Sequence, residues 1–199
     1  MMGFFEERKG GGGGAAVALD EIEISILRTL TVQLLELIGP GIPEDADPLA
    51  ALFAEGPSEP PSDPALARLF PDAYGSPDGA AEEGVDPAET VERSAEFRRY
   101  TENDLRARKR DDALAVVRSL DALTPGGDGV AVLELTGELP LRWLGALNDL
   151  RLTIAARLDI TDDEQGAALV GLPDEDPRKP IVMAYHWLTG LQESLIETL

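Results

Sequence analysis

There is no cysteine among the 199 residues. That removes disulfides, thiolate nucleophiles and thiolate metal sites together. Histidine occurs once, at His186, with Val182 and Gly190 four residues to either side, so no carboxylate shares its helical face at that spacing. Between Tyr185 and Trp187 it reads as an interface or core-edge residue, because general-base chemistry would need a nucleophile the sequence does not place. Aromatic residues make up 5%, so any core must be aliphatic. No apolar run approaches the roughly 20 residues that span a bilayer. The opening Met1–Lys9 puts acids directly after its apolar pair and has no hydrophobic segment of the kind a secretion signal carries. These absences predict a soluble cytoplasmic protein, and no catalytic, cofactor or metal constellation stands out among its residues.

Positive charge is also scarce. Lys and Arg number 17 against 38 Asp and Glu, a formal net charge of −21. Such a field favours solubility and disfavours unspecific DNA binding, since phosphates are repelled at long range. The imbalance is uneven. From Gly41 to Glu92 thirteen acids face the single Arg68, whereas from Arg93 to Arg110 seven cations face three acids. An acidic chain therefore carries one basic island.

Two strand–cap–helix units form the skeleton. In the first, Ala16–Leu19 is a strand, Asp20 a cap, and Ile24, Leu27, Leu30, Leu34 and Ile38 an apolar stripe at helical spacing, ended by Gly39-Pro40-Gly41. In the second, Ala131–Leu135 is a strand, Thr136 the cap, and Trp143, Leu147, Leu150, Ile154 and Leu158 the stripe. A glycine run, Gly10–Gly14, precedes the first strand. A phosphate loop would follow a strand and lead into Lys and Ser or Thr, so the run fits the tip of a hairpin from Phe4–Arg8. Residues 40–87 hold ten of the fifteen prolines and read as an acidic, partly irregular insert with two short helices, at Asp47–Phe53 and Asp63–Phe70, each opened by Asp-Pro.

Asp86-Pro87 opens a third helical region reaching about Leu123, apolar at Val91, Ala95 and Phe97 and again at Leu114, Val117 and Leu120. Its middle, Arg106–Asp112, has no apolar residue larger than alanine and is expected to be exposed on all sides, as a solvated turn or a break. Asp159–Lys179 reads as acidic loop with a weak turn at Gln165–Val170. Asp176-Pro177 then opens a last helix with a stripe through Ile181, Ala184, Leu188, Leu191, Leu195 and Leu199. The expected fold is α+β, mainly α, a single domain over residues 1–199. Its helices pack on one face of a small two- to three-stranded antiparallel sheet.

Two candidate sites follow. The basic island, Arg98, Arg99, Arg106, Arg108, Lys109 and Arg110, is a partner-binding surface on one reading and a solvated helix face on the other; only Phe97 and Tyr100 supply aromatics, too few for a single-strand platform. Asn148, Asp149 and Arg151 interrupt the central helix with residues that are poor or polar in a helix interior. They either form a structural polar network that fixes helix packing or line a binding surface. A second apolar face on the last helix, through Trp187 and Ile196, leaves a homodimer open.

Several segments resemble one known family: Ala16–Asp20, Gln33–Leu37, Phe97–Thr101, Trp143–Leu152 and Tyr185–Glu193. They are similar to an actinobacterial family, formerly of unknown function, named for the oxidative stress transcriptional regulator AosR and often encoded beside the ClpS protease adaptor. The resemblance covers nearly all of the chain outside the Pro-rich insert. It implies a regulator of transcription under oxidative stress without enzyme activity. The implied partner is a sigma factor or polymerase subunit, with direct DNA binding or a role in ClpS-linked proteolysis as alternatives. Family members that sense oxidants use a cysteine pair. A chain without cysteine has no such switch: either it senses nothing itself or it uses another input, methionine oxidation being one that is chemically open.

Overall fold

The computed structural model describes residues 3–8, 13–40, 55–75 and 86–199. Alternation of small apolar and exposed residues builds a three-stranded antiparallel sheet in the order β1 (Glu6–Glu7), β2 (Ala15–Asp20), β3 (Val130–Leu135). Val17 faces Leu133 across the β2–β3 pair, and Glu6 faces Ala16 across β1–β2. Ala15, Val17 and Leu19 with Ala131, Leu133 and Leu135 turn inward, while Ala18, Val132 and Glu134 stay exposed, as period-two strands packed on one face require. The first strand is shorter than Phe4–Arg8. Phe5 leaves the ladder because its N–H donates to Ser194 Oγ at 3.0 Å and its ring meets Trp143 edge-on.

The hairpin closes where Arg8 N–H donates to Gly14 C=O at 3.1 Å. Gly14 has φ +117°, and a Cβ there would lie 2.3 Å from the Leu135 carbonyl oxygen. A Gly14→Ala substitution therefore meets both backbone strain and a backbone clash. It is expected to cost about 1–3 kcal/mol in urea unfolding; an unchanged midpoint would show that the hairpin yields freely.

Six helices follow among the described residues: α1 (Glu21–Ile38), α2 (Pro64–Leu69), α3 (Pro87–Asp121), α4 (Leu139–Arg157), α5 (Asp163–Leu169) and α6 (Lys179–Glu197). Asp20 caps α1 in a reciprocal box. Its carboxylate accepts from Glu23 N–H at 2.8 Å, and Glu23 accepts from Asp20 N–H at 2.9 Å. Asp63 caps α2 by accepting from the Ala65 and Leu66 N–H groups and Asp86 caps α3 by accepting from Ala88 N–H, each without a reciprocal bond. The expected short helix at 47–53 lies outside the described residues.

Helix α4 is central, packing on α1, α2, α3 and α6. Trp143, Leu147, Leu150 and Ile154 along it are buried with Leu27 and Leu34 of α1 and Leu188, Leu191 and Leu195 of α6. The mainly helical α+β expectation is met, and no helix among the described residues is long and apolar enough to cross a membrane.

Several boundaries differ from the sequence reading. Thr136 is not the cap of α4; the helix opens after Glu138, with no side-chain cap, because Gly137 turns the chain at φ +63° and Pro140 takes a first-turn position. Helix α6 opens after Arg178 rather than at Asp176-Pro177, since Pro180 occupies its first turn. Gln165–Val170 is more than a weak turn: α5 forms there, capped by Asp162. Trp187 is not part of a free apolar face, being 4% exposed in the core, whereas Ile196 is exposed. Most consequential is α3, which is one unbroken helix whose middle turns cations inward.

Candidate functional site: the charged face of the long helix

Ser94, Arg98, Glu102, Arg106 and Arg110 recur every four residues of α3, and that spacing places them along one side of the helix. Arg98 is 4% exposed. It pairs with the buried Glu102, donates to the Phe70 carbonyl at 3.0 Å and reaches Asp72 at 2.8 Å. Burial works against its charge, but the hydrogen bonds to Asp72 and Glu102 outweigh it and raise the guanidinium above its ordinary pKa. Its Nε has no hydrogen-bond partner among the described residues. Arg106 grips the other oxygen of Glu102 at 2.8 Å, lies 4.2 Å from the Phe70 ring centre, and donates to Ile38 C=O at 2.8 Å. Arg110 donates to Gly39 C=O at 2.9 Å.

A rule emerges from these partners. The last carbonyls of a helix lack intrahelical donors and carry the negative end of its dipole. Arg106 and Arg110 serve the end of α1, Arg98 the end of α2, Arg68 the Ile160 carbonyl just beyond α4, and Lys179 the Val170 and Leu172 carbonyls beyond α5. In a chain this acidic, five of its 17 cations donate to carbonyls at or just beyond helix ends.

On the neighbouring side of α3, Lys109 reaches the 2%-exposed Asp149 of α4 at 2.5 Å. Burial pushes the Asp149 carboxyl up, against the hydrogen bond and charge of Lys109. Arg99 is only loosely tied, to Glu55 at 3.7 Å, and Arg108 is exposed. Of the six island residues, the structure thus turns Arg98, Arg106, Lys109 and Arg110 inward and leaves Arg99 and Arg108 outside. The expectation of a segment exposed on all sides is corrected: long aliphatic stems carry its charges to internal partners.

Asn148, Asp149 and Arg151 are not one cluster. Asp149 faces α3, while Arg151 faces α6, donating to Thr189 Oγ at 3.0 Å and pairing with Gln192. Asn148 lies between two grooves. The larger, about 710 Å³, runs between α3 and α4 past Arg108, Asp112, Arg142, Gly145 and Asn148. Gly145 makes its floor, because a Cβ there would stand 2.8 Å from the Asp112 carboxylate. Burial also pushes the Asp112 carboxyl up, with Arg142 opposing. His186 sits at the core edge, its Nε2 3.1 Å from Gly166 O. No group of three His, Asp or Glu side chains among the described residues is arranged to hold a metal. Sequence reasoning missed Glu102, Asp72 and Ser94; the four-residue spacing of Arg98, Glu102 and Arg106 was the signal available for the first.

Over residues 2–199 the chain matches the family described as Domain of unknown function (DUF2017). It is 34% identical, over 87% of its own length and 77% of the relative's, to the putative oxidative stress regulator AosR of Mycobacterium leprae. It is 34% identical to the oxidative stress regulators AosR of Mycobacterium bovis and Mycobacterium tuberculosis over 71% of its length, spanning 60% of theirs. No solved structure matches it. The chain belongs to the DUF2017 family, and it is similar to the mycobacterial oxidative stress regulators AosR.

Proposed function

We propose that this chain is a non-enzymatic cytoplasmic regulator of the oxidative stress response that works by protein contact with the transcription machinery. The observation that carries the reading is its similarity to the named regulators over most of its length. Contact with protein rather than DNA is favoured by charge. The net charge is −21, and four of the six cations of the basic island are occupied by internal carboxylates and carbonyls. A DNA-binding surface needs several cations free to displace counterions.

Arg108 and Arg99 are the island residues left to meet a partner, and Arg108 stands on the rim of the α3–α4 groove with Arg142. The test uses purified host RNA polymerase core and sigma subunits, with labelled promoter DNA as the comparison. Native chain is expected to be retained by a polymerase component and an Arg99→Gln/Arg108→Gln variant to lose most of that retention, with its unfolding midpoint unchanged. Binding to promoter DNA that weakens by about 0.9 log units per log unit of salt for each phosphate contact would instead establish direct DNA recognition. Retention on the ClpS adaptor alone would move the chain to regulated proteolysis.

A further inference from the structure

Sulfur in this chain is confined to Met1, Met2 and Met183. Met183 lies in the second turn of α6 and is 39% exposed, open enough for a small oxidant to reach. Trp187 stands four residues on, which places it on the same side of the helix, and long helical side chains lean toward the N-terminus, over the preceding turn. The indole is 4% exposed, yet its buried Nε1–H has no hydrogen-bond partner among the described residues. Buried indole N–H groups ordinarily find an acceptor. The stripe continues through Gly190 and Ser194, where the N-terminal segment is seated. The Phe4 ring crosses Gly190 so closely that a Cβ there would be 2.6 Å from Phe4 Cε1, and Phe5 N–H donates to Ser194 Oγ.

We propose that Met183 is a peroxide-oxidisable site, and that its sulfoxide oxygen supplies the acceptor which the Trp187 indole N–H lacks. A sulfur lone pair attacks one oxygen of hydrogen peroxide, the O–O bond breaks, a sulfur–oxygen bond forms, and water leaves. Sulfur loses two electrons and the peroxide gains them. A thioether is a weak acceptor, whereas a sulfoxide is polar and accepts strongly, and sulfoxide reductases return it to methionine. Oxidation is thereby registered at Trp187, on the same side of α6 as Gly190 and Ser194, without cysteine. The inference rests on the proposed regulatory role for its purpose but not for its chemistry.

The experiment treats the full chain with hydrogen peroxide and follows peptide mass together with the indole N–H resonances, one for each of the two tryptophans. The Met183 peptide is expected to gain one oxygen while the Trp187 resonance moves downfield. Met183→Leu should lose both responses. Trp187→Phe assigns the resonance and should keep the mass gain, and Met183→Gln, with an amide oxygen in place, should show the shifted resonance before any peroxide is added. Two results overturn the proposal: Met183 that resists peroxide in the folded chain, or a Trp187 resonance that stays in place once Met183 is fully oxidised. Failure of the regulatory reading appears separately, as no polymerase retention with the Trp187 shift intact.

Discussion

Replacing Arg98 with alanine is expected to lower stability by about 3–5 kcal/mol, the range for leaving one member of a buried ion pair alone. The size comes from Glu102, not from Asp72. Asp72 is 49% exposed, so its bond to Arg98 is screened and worth roughly 1 kcal/mol or less. Glu102 is 2% exposed and would keep only Arg106, which is itself 27% exposed. The Phe70 carbonyl at the end of α2 loses its donor as well. Urea unfolding followed by circular dichroism measures the loss. A companion variant, Arg98→Met with Glu102→Leu, removes both charges and should regain most of it, because no buried charge is then stranded. If Arg98→Ala costs under about 1 kcal/mol, water reaches Glu102 and the face is not a closed ion-pair network.

That same face explains where the sequence was legible and where it was not. Helices α1, α4 and α6 follow apolar stripes of period 3.6, and most of their core residues could be read directly, although Leu199 at the end of the α6 stripe stands 63% exposed and Val182, Tyr185 and Trp187, outside the stripe, are buried. The caps Asp20, Asp63 and Asp86 were legible as short acceptors placed just before a helical run, whereas Thr136 and Asp176 had the same form and do not cap. The first half of α3 defeats hydropathy. Its buried face is Ser94, Arg98 and Glu102, so the apolar residues that seemed to mark a core side, Val91 and Phe97, stand 69% and 47% exposed. A paired charge can be buried, and hydropathy counts it as surface.

The partners of the basic residues were hidden for a different reason. Carbonyls at Ile38, Gly39, Phe70 and Ile160 have no sequence signature, because every residue carries one. Only the folded arrangement shows which of these carbonyls fall within reach of α2 and α3. The start of α6 was misplaced for a simpler reason: Asp176-Pro177 has the form of a cap and first turn, but Asp176 accepts from the Arg178 and Lys179 N–H groups in a separate turn, and the helix opens after Arg178.

Lys109→Met should strand the buried charge on the neighbouring side of α3, Asp149, and its signature is a dependence on pH. Asp149 is 2% exposed, and burial already holds its carboxyl above the usual aspartate range, with Lys109 as the main opposing influence and Arg108 a weaker one. Without the ammonium the folded-state pKa rises further. A carboxyl raised on folding contributes stability that is fully present below its unfolded pKa and is lost as pH climbs through the folded value. The variant is therefore expected to be weaker than native by about 3–5 kcal/mol near neutral pH, and the difference should shrink steadily as pH falls toward about 4. Asp112, also raised by burial and influenced by Asp149, titrates in the same groove, so Asp112→Asn serves as the control that isolates Asp149. Adding Asp149→Leu to Lys109→Met should regain most of the stability and flatten the pH profile, since the stranded carboxylate is gone. Thermal unfolding of the four proteins across that pH range decides the matter: a native–variant gap that stays constant would mean that Asp149 is charged and solvated at every pH, and that Lys109 contributes by packing its stem alone.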